Sequence, residues 1–516
     1  MARLTHESLE FARNHIVHFW DSDFFPKSFE FDAIWFKWTE VVARLISVDI
    51  SKIPVSLPRC MLAPKPNGTY RVVHQLDPLN TLTYTAMAFL ASEHIENARA
   101  PRQDRIACSY RISPEIASGN LFATGNGYSD FTEMTRDCLS NNAYILKTDI
   151  ADFYNQIYLH RLKNGVAVAH NSLEELSKNI EDFLISLNDT VSRGVPVGPP
   201  ASIILAEALL TDIDNFISSA GFTHTRYVDD FRIFSNSRDD LDTLLQNLTL
   251  YLHKTHRLIL ASHKTQIMES SKFLAEELDD PQEVQRRELH RKMEDIGSPY
   301  EDFQTGNEID EQAMTTEQRI EVINSMMQAI CERSILDLGL ARHVLRLCKR
   351  YRIRSIVPKL LERFDFFIPV MPDIVLYLNT VSSRKFIERI APQLETICSS
   401  PSAKLPFVRM WLAHYLAKNP RYLQERTFTD FIHNSDDIAS LALATINSRN
   451  STWARELRHS FDAVSTFEKR HIIRASLAIG NDERRSFYDT ARTRELTILE
   501  RYVLDWVASL NTLQTV

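Results

Sequence analysis

The sequence predicts an α+β first half followed by an all-α second half of HEAT-like type. Three observations carry that prediction. Eight of the twelve glycines lie before residue 222, so turns and close backbone approaches concentrate there. Residues 1–280 carry 26 Lys/Arg against 36 Asp/Glu, whereas 281–516 carry 33 against 31. Beyond residue 319 apolar side chains recur at i, i+3, i+4 and i+7, as in Ile387, Ile390, Leu394 and Ile397.

Composition sets the outer bounds. The chain has 516 residues, 44% hydrophobic and 24% charged, which excludes a collagen-like or globally disordered protein. Two to four domains are expected at this length. No apolar run is expected to reach the roughly 18–20 residues of a membrane helix, so no membrane partner is expected. The start, Met1-Ala2-Arg3-Leu4-Thr5-His6-Glu7-Ser8, lacks a secretory pattern. Six scattered cysteines without a C-x-x-C suit a reducing compartment, and the expected location is the cytoplasm. A net charge of −8 argues against loose coating of nucleic acid, and leaves room for a local basic channel.

The first half holds three segments whose order matters. Tyr144-Ile145-Leu146-Lys147-Thr148-Asp149 reads as a buried strand that delivers Asp149 at its end, with Asp152 and Tyr154 where the chain turns. Arg193-Gly194-Val195-Pro196-Val197-Gly198-Pro199-Pro200 reads as a loop entering an apolar helix from Ile203. Phe222–Phe234 reads as a hairpin around Val228, Asp229 and Asp230. Adjacent residues of a regular strand face opposite ways, so two adjacent acids that share a site belong at a turn. Three carboxylates suit hard divalent cations such as Mg²⁺, and two ions can stabilise the attacking and leaving oxygens of phosphoryl transfer. An Asp-Asp pair alone is ordinarily a solvated turn; the ordered conjunction of Asp149, Gly198 and Asp229 is what points to chemistry.

That conjunction resembles the reverse transcriptases, over roughly residues 50–275. Their palm carries an Asp-bearing strand, a Pro-Gln-Gly loop and a Tyr-x-Asp-Asp hairpin in this order. Tyr227-Val228-Asp229-Asp230 matches the last motif. The resemblance implies Asp149, Asp229 and Asp230 as catalytic residues and, with Ile150, as the holders of two Mg²⁺ ions, Mn²⁺ being the substitute. It implies dNTP contacts at Ile150, Tyr154 and Gly198, Tyr154 excluding a ribose 2′-OH. Pro64-Lys65-Pro66-Asn67-Gly68-Thr69-Tyr70-Arg71 resembles the fingers hairpin, with Lys65 and Arg71 toward the triphosphate. His263-Lys264-Thr265 resembles the lysine-bearing motif, Lys264 assisting pyrophosphate departure. Valine stands at 197 where the usual motif has glutamine, which counts against standard template-directed copying. The implied domains are 1–140 for fingers and N-terminal region with part of the palm, 141–275 for the palm, 276–318 for a polar boundary and 319–516 for the HEAT-like helices.

In the second half, helices are predicted near 320–350, 354–364, 369–380, 383–398, 406–417, 421–433, 435–448, 453–465, 467–479 and 483–509. A fingers–palm unit joined to such a half resembles the abortive-infection (Abi) reverse transcriptases of bacterial antiphage defence. That resemblance implies protein-primed, untemplated DNA synthesis from dNTPs, covalently attached single-stranded DNA, a homo-oligomer and a phage component as trigger. A template-directed polymerase and a non-catalytic scaffold or phage sensor are the alternatives. Arg342, Arg346, Lys349 and Arg350 form a helical stripe that, with Arg354, could track a single strand. A solvated face, or pairing with acidic groups, explains such a stripe equally well.

Overall fold

The computed structural model describes residues 2–123, 125, 127–279 and 315–510. They fall into two compact units. One holds the chain up to Ser22, then Val42–Arg59, then everything from His74 to the end of the first described half. The other holds Asp23–Val41, Cys60–Val73 and the helical half.

The first unit is built on a four-stranded antiparallel sheet. Its strands are β5 (Tyr144–Asp149), β6 (Thr223–Tyr227), β7 (Asp230–Ser235) and β8 (Gln266–Glu269), in the order β6-β7-β5-β8. The register sets Asp149 of β5 directly opposite Asp230 of β7, and Tyr227 opposite Asp230 across the hairpin. Beneath the sheet, Ile145, Phe234, Met268 and Phe273 pack with Cys138, Leu139 and Leu278. Four helices back the unit: Pro78–Ala98, Leu159–Ala169, Glu174–Leu187 and Ala201–Ser219. Asp77 caps the first, accepting the Leu79 N–H, with proline at the first helical position. The helix predicted from Ile203 begins at Ala201 and is apolar nearly all round, as a helix covered on several sides must be.

The second unit contains the Asn67-Gly68 turn and, from Cys60 to Val73, most of β1 (Arg59–Pro64) and β2 (Tyr70–Gln75), whose far ends belong to the first unit. Gly68 takes φ 77° and the Lys65 N–H reaches the Thr69 carbonyl at 2.7 Å, so the turn forms where the Asn-Gly pair places it. Segment 23–41 also belongs to this unit. Glu30 is fully buried and pairs with Arg470 at 3.0 Å, and Trp411 donates its indole N–H to the Phe24 carbonyl.

The α-rich half differs from the sequence expectation in places where a cap or break decides. The span 320–350 is two helices, Thr316–Glu332 and Leu338–Arg350, because Asp337 caps the second by accepting the Leu340 N–H. The span 483–509 is likewise Asn481–Arg492 and Ile498–Ser509, restarted by a Thr497–Glu500 capping box. The span 453–465 closes earlier, at Ser451–His459. Every second long helix packs on the next: Leu338–Arg350, Met371–Val381, Pro406–Lys418, Ile438–Ser448, Thr466–Ala475 and Ile498–Ser509. One correction concerns hydropathy. Phe364–Val381 is 18 residues of mean hydropathy 1.3, long and apolar enough to cross a bilayer, and 61% of it is buried inside the protein. Pro369 and Pro372 divide it, and its apolar side chains serve the helical core. Most of the expected 276–318 boundary lies outside the described residues.

Candidate active site

The site is assembled at one end of the sheet. β5 ends on Asp149, and the two-residue turn Val228-Asp229 carries the hairpin from β6 into β7. Asp229 accepts the Ile150 N–H on its carbonyl at 3.3 Å, so the backbone of Ile150 ties the strand end to the turn. A third segment completes the edge: the Asp149 carbonyl accepts from Ala261 N–H, and Ala151 N–H donates to the Ile259 carbonyl, both at 2.8 Å. Lys264 follows on a 3₁₀ turn, and its Nζ lies 2.5 Å from Asp149 Oδ2. Asp149, Ile150, Asp229, Asp230 and Lys264 are thus brought together.

Charge is concentrated here. Burial, and next the charge of Asp149, push the Asp229 carboxyl up to about 7, with Lys264 among the opposing influences. Burial also raises Asp230, against the pull of Arg232. Among the described residues no group of three His, Cys, Asp or Glu side chains is arranged to hold a metal ion. The donors are nonetheless carboxylate oxygens that repel one another, which is the chemistry a hard cation neutralises.

The Pro196-Val197-Gly198 loop is fixed by backbone contacts. Val195 N–H donates to the Tyr154 carbonyl at 2.9 Å, Gly194 N–H to the Ile157 carbonyl at 2.8 Å, and Ser202 Oγ to the Pro196 carbonyl at 2.6 Å. His74 holds Val197 twice: its N–H donates to the Val197 carbonyl at 2.8 Å, and its Nδ1 accepts the Val197 N–H at 3.0 Å. Gly198 has φ 132°, and a Cβ there would lie 2.6 Å from Ser22 Oγ and 3.0 Å from the His74 carbonyl. Tyr154 sits half-buried on the short helix Phe153–Gln156.

The remaining candidates lie in the second unit. Lys65 and Arg71 flank the turn of the β1–β2 hairpin, Arg71 exposed. In the predicted strand track, Lys349 and Arg350 are exposed at the end of Leu338–Arg350. Arg342 pairs with Asp373 at 3.4 Å, and Arg346 adds its charge near the same carboxylate. Arg354 donates to the Val381 carbonyl and stacks on Phe386.

Sequence reasoning missed the ion network behind the hairpin. Arg226 is fully buried; its Nε bonds both Asp214 oxygens at 2.9 and 3.0 Å, and its Nη2 meets Glu207 Oε2 at 2.7 Å. Arg99 meets the same Glu207 oxygen at 3.0 Å and pairs with Glu96, which also pairs with Arg111. Three guanidiniums therefore face three carboxylates. Burial opposes the charge on Arg226, but Asp214 and Glu207 outweigh it and hold the guanidinium protonated. Burial would raise Asp214, yet Arg226 and the His224 hydrogen bond bring it below its ordinary value. The available signal was Glu207 and Asp214, seven residues apart and so on one face, both buried in a mostly apolar helix.

Comparison with known proteins bears on the same stretch. Residues 63–278 match the family described as reverse transcriptase (RNA-dependent DNA polymerase), against the expected 50–275. The Retron Ec83 reverse transcriptase of Escherichia coli is 28% identical over 142 residues, 26% of this chain and 45% of that relative, so the chain spans less than half the relative's length. Among solved structures, telomerase of Candida albicans, in complex with a telomeric RNA fragment, has 12% identity and a TM-score of 0.31, covering 78% of this chain and 70% of that one. The corresponding telomerase of Candida tropicalis has 12% identity and a TM-score of 0.34, with 77% and 67% covered. Scores this low fix no architecture. By sequence, residues 63–278 of this chain are similar to that family.

Proposed function

We propose that the chain is a DNA polymerase that adds deoxynucleotides at Asp149, Asp229 and Asp230. The observation that carries this is the register pairing Asp149 with Asp230 beside Asp229 in the turn, a crowding of carboxylates at one sheet end. Reverse transcriptase-family polymerases generally use divalent metals, and Asp149, Asp229, Asp230 and the Ile150 main chain are the residues that would hold two Mg²⁺ ions or Mn²⁺. Bound there, such ions would supply positive charge to the attacking and departing oxygens. A hydroxyl oxygen gives up its proton to solvent and attacks the α-phosphorus, a new P–O bond forms, and the bond to pyrophosphate breaks. Lys264, already paired with Asp149, carries the cation nearest the departing pyrophosphate. The Gly198 main chain meets the nucleotide, and Tyr154 excludes a 2′-hydroxyl.

Our reading of the product is protein-primed, untemplated single-stranded DNA that remains covalently attached, made by a cytoplasmic homo-oligomer in antiphage abortive infection. Two features support it: Val197 has no amide side chain to offer around a templated pair, and an α-rich half follows the matched stretch. Lys349 and Arg350 would guide the strand. Template-directed copying is the second reading, favoured by the RNA-dependent description of the matched family and by the retron relative. Purified protein is incubated with each labelled dNTP and Mg²⁺, without primer or template, and run on a denaturing gel. Label that stays on the protein and is lost in Asp229→Asn supports the first reading. Incorporation only with added template and primer supports the second. No incorporation under either condition rejects both and leaves a scaffold or phage sensor.

A further inference from the structure

Val228 is β-branched and sits at φ 57°, a conformation that such residues avoid. It is the first central residue of the turn whose second is Asp229, so its two peptide planes decide where the Asp229 carboxylate points. Both planes are held by groups outside the hairpin turn. Ser109 Oγ accepts the Val228 N–H at 2.8 Å. Arg226 Nη1 donates to the Val228 carbonyl at 3.3 Å. That carbonyl belongs to the central peptide of the turn, the one whose flip converts one turn type into another. The holders are themselves held. Ser109 is fully buried, and Arg99 donates to the carbonyls of Ser109 and Tyr110, both at 3.0 Å. Arg226 is gripped by Glu207 and Asp214, and Glu207 joins the two arginines.

We infer that Ser109 and Arg226 are positioning residues for Asp229: they clamp the Val228 peptides in a strained turn, and so fix the carboxylate for a divalent cation. The network does more than fill the core, because its two outermost hydrogen bonds end on the turn itself. A strained turn persists only where its surroundings over-determine it. With either bond removed, one of the two peptides flanking Val228 gains an alternative orientation and the Asp229 carboxylate loses its fixed direction.

The inference rests on the polymerase reading for turnover, and on the carboxylate site alone for metal binding. The test uses the full chain with four variants, Ser109→Ala, Ser109→Thr, Arg226→Lys and Asp229→Asn, and reads two quantities: the Mn²⁺ dissociation constant by calorimetry, and dNTP incorporation split into kcat and KM. Ser109→Ala is expected to keep its melting midpoint within a few degrees, weaken Mn²⁺ by about tenfold and lower kcat by at least about tenfold at unchanged KM. Ser109→Thr, which keeps the hydroxyl, is expected to restore both. Arg226→Lys disturbs a buried ion network, so its result counts only if its melting midpoint matches that of Ser109→Ala. A folded Ser109→Ala with wild-type Mn²⁺ affinity and wild-type kcat overturns the clamp. Wild-type protein that binds Mn²⁺ through Asp229 but incorporates nothing fails the polymerase reading, and the Mn²⁺ comparison still decides the clamp. Wild-type protein that binds no Mn²⁺ overturns both.

Discussion

Asp229 shows how a single carboxyl can trade stability for chemistry. Its folded pKa is about 7, against an ordinary value near 4. The folded state therefore binds more protons than the unfolded state between those values, and stability falls as pH rises through that window. Asp229→Asn removes the cost. Metal-free Asp229→Asn is expected to be more stable than wild type at pH 8, by about 1–2 kcal/mol after discounting for partial exposure, and equally stable near pH 4. Urea melts at both pH values check this, and the same variant is expected to lose nucleotide incorporation. At Gly198 steric contact governs. A methyl group would press on the His74 carbonyl, which is backbone and cannot swing aside, and would take a φ that alanine disfavours. Gly198→Ala is expected to cost about 1–3 kcal/mol in a denaturant melt.

At the scale of elements, the loop of residues 193–198 depends on a strand distant in sequence. His74 Nδ1 accepts the Val197 N–H, so that nitrogen must carry no proton. Burial lowers the His74 pKa accordingly. The unfolded chain binds the extra proton first, so this contact stabilises the fold above about pH 6.5 and is lost as pH falls through the lowered value. His74→Ala is expected to raise the KM for dNTPs several-fold, with a smaller change in kcat, measured by steady-state incorporation at pH 8. The elements carrying Asp149, Asp229 and Gly198 were legible because strand, hairpin and loop each have a local signature. The His74 contact was not, since a backbone pairing across 123 residues leaves no mark on either segment. The helix breaks near 333–337 and 493–497 were blurred for a related reason. Apolar spacing continues across both gaps, and only the caps at Asp337 and Thr497 restart the chain.

For the molecule as a whole, the sequence foretold a mixed half and a helical half but not that residues 23–41 and 60–73 group with the latter. Chain order is a poor guide where one early helix is held by a buried Glu30–Arg470 pair 440 residues apart. The basic stripe was half legible. Arg342 pairs with Asp373 and Arg354 donates to the Val381 carbonyl, while Lys349 and Arg350 are exposed at the helix end, Arg350 lying over the Tyr351 ring. Lys349→Glu with Arg350→Glu is therefore expected to shorten DNA products on a denaturing gel while single-nucleotide addition persists. Unchanged product length would assign that face to solvent.

The balanced set of Arg99, Arg111, Arg226, Glu96, Glu207 and Asp214 also limits how this chain can change over time. Removing one member strands its opposite charge in the interior, a loss of about 3–5 kcal/mol. Removing Arg99 together with Glu207 leaves Arg226 on Asp214 and Arg111 on Glu96, so the remaining charges stay paired. Substitutions here should be tolerated only in pairs that leave the rest matched, so the route to a rewired hairpin runs through particular double steps that a single-site mutational scan would score as closed.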